Sequence, residues 1–426
     1  MKKSRTVRRT TAVESRTTRR LPLVELLIDT EAELFDLAVR SGLQVLDAML
    51  EEDRTALCGP RYAHQADRTA SRAGTVASEV VLGGRKVGIR RPRVRSGRQE
   101  VSLPTFQAMA QTDPLRRRTV EQLLVGVSTR GYARSLEPLP PDVPSRGVSK
   151  SAVSRRFVAK TAAQLAAWQA TSLDDLDLVG LVLDGVHIGE HCLIVALGIG
   201  ADGTKHALGL WEGATENATV CQSLLANLQS RGLRTDRSVL VMLDGSKALR
   251  AAVTAVFGRA AVVQRCQVHK TRNILDHLPE RQRPWVQAIL RRAYQSEDVK
   301  TATRVLRNLA RRLDREHPCA AASVREGLEE TVTVLTLGLS PRLQRSLATT
   351  NAAESLISRT RHVKRHVKRW RGGQMMLRWV AAGVLEAAKG FRRLKGHADM
   401  AQLVAALRAR DHSLSLGDAR EVEQVA

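Results

Sequence analysis

Aromatic side chains make up only 3% of this 426-residue chain. Stacking of nucleic-acid bases on aromatic platforms is therefore not expected as its main binding mode. Cysteine is scarce too: Cys58, Cys192, Cys221, Cys266 and Cys319 are odd in number, widely spread and never spaced as CxxC. That excludes a zinc site of the paired-CxxC type and fits a reduced cytoplasmic protein better than a disulfide scaffold. No apolar run reaches the ~18–20 residues of a membrane span, so no membrane partner is expected. The basic N-terminus has no apolar segment behind it, which argues against a secretory signal. Acid is also in short supply: 43 Asp plus Glu stand against 68 Lys plus Arg, a net charge of +25. A fold does not need that excess, whereas a polyanionic partner explains it. The remaining composition, 43% hydrophobic and 26% charged, is that of a globular chain, and the length fits about two to four domains.

Residues 1–20 carry eight basic side chains and one acid, and are read as a flexible basic tail. A DNA-binding region is expected over 21–170. It opens with helical apolar spacing over 21–57. Next, seven of the fourteen residues from Arg85 to Arg98 are basic, with alternating Val and Ile, as in a β-ribbon with one cationic face. Such a run also serves as a charged edge strand that blocks aggregation; with no acids inside it, DNA contact is the reading taken. A helix over 120–136, a proline-rich linker and a second helix capped by Ser149 or Ser151 resemble a helix-turn-helix. Ser149, Ser151 and Arg155 then stand where a recognition helix touches bases.

From residue 171 the pattern changes. Apolar strands and helices alternate as β-β-β-α-β-α-β-α up to 278, the signature of a mixed sheet flanked by helices. Helical spacing alone continues over 279–345. A further helical block spans 346–395, and a short helix and tail close the chain at 396–426. Two of the strands end in Leu-Asp-Gly, giving Asp184 and Asp244. Carboxylates at the carboxyl ends of strands in an open α/β sheet sit where ligands bind, and two of them can hold a divalent ion such as Mg²⁺, or Mn²⁺ in its place. Asp-Gly is also a common turn. Glu354, in the first turn of a helix capped by Thr350 or Asn351, is the candidate third carboxylate, although a glutamate there also suits the helix dipole. After it, Arg361, Lys364, Arg365 and Lys368 recur at three- and four-residue spacing, and no acid occurs between Ser355 and Leu385. That cationic helix face is read as a phosphate-binding surface.

Four segments resemble the Mutator-type bacterial insertion-sequence transposases: Val182-Leu183-Asp184-Gly185-Val186, Met242-Leu243-Asp244-Gly245-Ser246-Lys247, Gln264 through Asn273, and Thr350-Asn351-Ala352-Ala353-Glu354-Ser355. That family is similar to the wider DDE transposases, so the resemblance implies a ribonuclease-H-like α/β catalytic domain with a helical insertion at 279–345. It implies that Asp184, Asp244 and Glu354 are the catalytic, metal-holding triad. Cys266 and His269 match the family's C-x-x-H signature. Two ligands are too few for zinc, so they are read as packing or DNA-positioning residues. Arg265, Lys270 and Arg272 in the same segment are expected DNA contacts. The sequence departs from the family at Cys221, near a position where a Trp is frequent.

The implied function is transposition of an insertion element in the cytoplasm, on the nucleoid. The chain would bind the terminal inverted repeats and carry out Mg²⁺-dependent strand cleavage and strand transfer on double-stranded DNA, element ends and target alike. Holding two ends implies a homo-oligomer, at least a dimer. The alternatives are a metal-dependent nuclease or resolvase on the same fold, and a DNA-binding repressor with an inactive catalytic domain.

Overall fold

The computed structural model describes residues 34–425, apart from 64–68, 83, 112–116, 125, 137–138, 148, 189–190, 214–217, 365–366, 368–369 and 371. The basic tail expected at 1–20 lies outside them. Among the described residues the chain is mixed α/β, with two separate sheets. It divides into two compact units: Met1–Thr119 with Thr129–Val153, and Val120–Ser128 with Ser154–Ala426.

In the first unit, α1 (Leu34–Cys58) buries Leu46, Leu50 and Cys58 at spacings of four and eight, one face of a helix. That stripe packs with Val80, Val87, Val94 and Leu103 in one cluster. Strands β1 (Ser71–Leu82) and β2 (Arg85–Ser96) form an antiparallel hairpin closed by the pair Leu82↔Arg85. Gly84 turns the chain at φ +83°, a conformation side chains resist. β3 (Gln99–Val101) pairs with residues 94–96 of β2, and β4 (Ser145–Gly147) pairs with residues 85–87. α2 (Pro104–Gln111) follows β3, and Asp53 of α1 accepts the Thr105 N–H at 2.7 Å to hold it.

The basic run thus lies mainly on β2, and it is not free of acid. Glu79 of β1 pairs with Lys86 and Arg146, and Glu100 of β3 pairs with Arg91 and Arg93. The balancing acids come from neighbouring strands, which a linear scan does not see. Arg90 and Arg95 stay exposed. The helix expected over 120–136 shortens to α3 (Arg117–Leu124). Gly126, at φ +108°, leaves the helix, and Val127 N–H closes back on the Gln122 carbonyl at 2.8 Å. A 3-10 turn (Tyr132–Ser135) and β4 intervene before α4 (Lys150–Ala170), so these helices are not the tightly joined pair of a helix-turn-helix.

The second unit is built on a five-stranded sheet. Its elements follow the order read from the sequence: β5 (Leu178–Ile188), β6 (His191–Gly200), β7 (Lys205–Gly213), α5 (Ala218–Ser230), β8 (Val239–Leu243), α6 (Lys247–Phe257), β9 (Ala261–Arg265) and α7 (Gln267–Asp276). The spatial order is β7-β6-β5-β8-β9. The first three strands are an antiparallel meander, and β8 and β9 run parallel to β5. Helices cover both faces, so the central strands are apolar along nearly their whole length rather than alternating. On one face Leu181, Leu183, Val241 and Leu243 pack with Leu224 of α5 and Val253 of α6. On the other, Val182, Leu193, Val195 and Met242 lie in one cluster with residues of the later helices.

Beyond α7 the chain is helical: α8 (Arg283–Tyr294), α9 (Val299–Leu313), α10 (Pro318–Arg325), α11 (Leu328–Thr331), α12 (Thr333–Thr336) and α13 (Pro341–Leu347). These largely share a separate core with α7, built around Ile274, Val286, Leu290, Leu306 and Leu309. The block read as a single helical stretch is two helices, α14 (Asn351–Lys364) and α15 (Gly373–Ala388), interrupted before Gly372 at φ +153°. The last helix, α16 (Met400–Val425), is longer than expected. Among the described residues no helix is long and apolar enough to cross a membrane.

The helical segment is fastened to the sheet by buried polar bonds. Gln264 at the end of β9 is fully buried; its Nε2 donates to the Thr331 carbonyl (2.8 Å) and its Oε1 accepts the Val334 N–H (2.9 Å). Arg265 beside it pairs with Glu330 at 2.9 Å. Gly327 passes over this arginine at φ +58°, and a Cβ there would collide with the Arg265 guanidinium. Gly327→Val combines a disfavoured backbone with displacement of Arg265 from its partner. We expect a loss of about 2–4 kcal/mol, read from the urea midpoint. An unchanged midpoint contradicts the tight approach.

Candidate active site

The register of the parallel pair β5–β8 ends at Leu183↔Leu243. The next residues are Asp184 and Asp244, so the two carboxylates leave neighbouring strands at the same level, about 4.8 Å apart laterally at the backbone. Since Leu183 and Leu243 face α5 and α6, alternation turns Asp184 to the opposite face, the one covered by α14. Asp184 does not end its strand, as the Asp-Gly pair had implied. β5 continues to Ile188 because β6 still pairs with it, Asp184↔Val195 through Ile188↔His191. Asp244 does stand at a turn. Its carboxylate accepts the Ser246 N–H at 2.9 Å, Gly245 takes φ +106°, and Ser246 caps α6.

Glu354 comes from the first turn of α14 and reaches the same place. Its Oε1 lies 3.2 Å from His269 Nε2 on α7. His269 Nδ1 lies 3.4 Å from Thr350 Oγ1, and Cys266 Sγ accepts the Thr350 N–H at 3.4 Å. The C-x-x-H pair thus grips the residue that starts α14 and holds Glu354 against the sheet. Thr350 is fully buried, and its side chain works against the rise in the Asp184 pKa. It was read from the sequence only as a possible cap. A small polar residue one position before the acid-bearing helix is the signal that marks it.

The electrostatics are those of crowded acids. Burial, followed by the Asp244 charge and then Glu354, lifts the Asp184 pKa to about 7, with His269 pulling the other way. His269 is raised to about 9, first by its hydrogen bond with Cys266 and then by Asp184 and Glu354. Two buried oxygens, Asp184 Oδ1 and Glu354 Oε1, have no hydrogen-bond partner among the described residues. For Glu354 the 3.2 Å approach of His269 is a charge contact without hydrogen-bond alignment.

Hard carboxylate oxygens, two of them buried and unsatisfied, with like charges pressing on one another, are the donor set a divalent cation relieves. Asp184, Asp244 and Glu354 therefore fit Mg²⁺ or Mn²⁺ in chemical kind. Among the described residues, no three His, Cys, Asp or Glu side chains are already drawn together at ligand spacing.

The expected DNA contacts fare unevenly. Arg265 and Lys270 are corrections, because both are buried and engaged. Arg265 pairs with Glu330, and Lys270 Nζ donates to the Glu326 carbonyl at 2.5 Å, burial pushing its pKa down to about 8. Arg272, one turn along α7 from His269, is exposed. Ser149 caps α4 by accepting the Ala152 N–H at 3.2 Å, and Ser151 and Arg155 are exposed on its first two turns. Arg361 and Lys364 fall within α14, while Arg365 and Lys368 lie outside the described residues. Cys221, where the family frequently has Trp, is fully buried in the α5 core.

Comparison with known proteins identifies the family. A family profile described as "Transposase, Mutator family" matches residues 20–393. The chain is 27% identical over 376 residues to a transposase for insertion sequence element ISRM5 of Rhizobium meliloti (strain 1021), covering 86% of this chain and 90% of that protein. It is 30% identical over 212 residues to the transposase for insertion sequence element IS6120 of Mycolicibacterium smegmatis, covering 48% of this chain and 64% of that one. It is 27% identical over 297 residues to the transposase for IS1081 of Mycobacterium tuberculosis (strain ATCC 25618 / H37Rv), covering 65% and 68%. For several relatives the matched stretch spans only about half of their length. The profile match covers most of the chain, and the chain belongs to the Mutator family of transposases.

Proposed function

We propose that the chain cuts DNA at the ends of an insertion element and joins the freed ends to a second DNA, using Asp184, Asp244 and Glu354 as one catalytic group. One observation carries this reading: two strand-borne aspartates at matched register beside a helix-borne glutamate, close enough that their charges raise Asp184. Membership of a transposase family supports it. We also propose that the β7-β6-β5-β8-β9 sheet is a ribonuclease-H-like catalytic core, with 279–345 inserted before its last acidic helix. The support is the strand order, three antiparallel strands followed by two parallel ones.

Mg²⁺, or Mn²⁺ in its place, would be held by the three carboxylates and would supply charge neutralisation at phosphate and an activated water. The chain's own part is positioning. Thr350 is held by Cys266 and His269 at the start of α14, and His269 keeps Glu354 turned toward the aspartates. In the first reaction a water oxygen bonds to phosphorus and the P–O3′ bond breaks, leaving a 3′-hydroxyl. That hydroxyl then attacks phosphorus in another strand and expels a second 3′-oxygen. No covalent protein intermediate is needed, and the work is orientation and charge stabilisation. Two ends must be held at once, so we assign a homo-oligomer of at least two copies acting on double-stranded DNA, in the cytoplasm on the nucleoid.

The test is a strand-transfer assay with end-labelled element DNA and a plasmid target, in Mg²⁺ and in EDTA. The proposal expects labelled ends joined to target only in Mg²⁺. Cleavage without joined product points instead to a nuclease, and specific binding without cleavage to a repressor.

A further inference from the structure

A cleft of about 540 Å³ opens between α7, α8 and α13, the first of which also carries His269. Thr349 lines it, immediately before the Thr350 that contacts Cys266 and His269. Arg272 lines it from α7, three residues after His269 and so about 5–6 Å along the same helix face. Arg283 and Arg291 enter from α8 and Arg345 from α13, against one acid, Asp276. Arg272, Arg291 and Arg345 are exposed, and among the described residues none has a carboxylate partner. Other exposed arginines do close on acids, as in Arg40–Asp142 and Arg234–Asp236. Tyr294 in the wall is half-buried; burial holds its phenol well above the usual value, so it brings no negative charge.

A solvated helix face does not need cations converging from three helices on one hollow. Phosphates spaced along a strand do fit such an arrangement, and arginine forks bind phosphate oxygens in pairs. We propose that this cleft grips the backbone of the DNA strand that enters the carboxylate site, with Arg272, Arg291 and Arg345 on successive phosphates. The position rests on reading Asp184, Asp244 and Glu354 as the cutting site; the grip itself is tested without cutting.

The probe is a fluorescent duplex of about 30 base pairs of arbitrary sequence, bound to the full chain in EDTA across a range of salt, since backbone binding is sequence-independent. Each phosphate contact contributes about 0.7–0.9 to the slope of log affinity against log salt. The triple variant Arg272→Gln, Arg291→Gln, Arg345→Gln is expected to flatten that slope by about 2–3 and to weaken binding at least about tenfold near 0.15 M salt. The triple Arg→Lys variant, which keeps the charges, should retain most of the slope. A control triple, Arg304→Gln, Arg311→Gln, Arg315→Gln, removes the same charge from exposed positions on α9 and just after it. An unchanged slope in the cleft variant, or an equal loss in the control, overturns the proposal. Because no metal or cleavage enters the readout, failure of the carboxylate assignment leaves this result standing, and the reverse also holds.

Discussion

Asp184→Asn, Asp244→Asn and Glu354→Gln, each made alone, are expected to lower DNA cleavage by about 10³-fold or more. Each change preserves shape and removes one charge from a group whose members already feel one another's fields. Groups that act as a unit are not additive, so a double variant should lose little more than a single one. DNA affinity in EDTA should hold or tighten slightly, since each substitution deletes a negative charge close to phosphate. Gel-resolved cleavage rates and anisotropy on the same preparations check both halves. Full cleavage by any one variant contradicts its role. Parallel loss of cleavage and binding points to a damaged fold instead.

The second large effect concerns stability without metal. The folded protein holds Asp184 at about 7 against an ordinary value of 3.8, so between those limits the native state binds more protons than the unfolded chain. Stability therefore falls as pH rises through that window and levels off above it. Asp184→Asn removes this liability. In EDTA at pH 8 the variant should be more stable than the parent by up to about 4 kcal/mol, with the difference falling below about 1 kcal/mol near pH 4. Divalent metal should stabilise the parent at pH 8 by about 2.7 kcal/mol at a hundredfold excess over its dissociation constant, seen as a higher melting temperature. It should do little for the variant. Thermal melts across pH, with and without Mg²⁺, give the comparison. A variant less stable than the parent at pH 8 in EDTA contradicts the account of crowded acids.

Much of the sheet was legible because its strands are short apolar runs between turn residues, and the order of elements from 178 to 276 follows that punctuation. Asp244 could be placed because Gly245 and Ser246 mark a turn and a cap within two residues. Asp184 misled, since the same Leu-Asp-Gly triplet lies inside a strand when a partner such as β6 continues alongside. The burial of Arg265 and Lys270 was not legible, because their partners, Glu330 and Glu326, lie more than fifty residues away on the helical segment. The role of Thr350 was hidden for the same reason: Cys266, which receives its N–H, is 84 residues earlier. Local periodicity fixes helices and strands, whereas these contacts exist only once the helical segment has folded back onto β9.

The central claim is that three acids distant in the sequence form a single divalent-cation site facing DNA. Anomalous diffraction from Mn²⁺ in crystals of the full chain with element-end DNA tests it most directly. The account predicts a manganese peak bounded by Asp184, Asp244 and Glu354, lost in Asp184→Asn. A peak elsewhere, or a Glu354 side chain turned away from both aspartates in the DNA-bound state, contradicts it.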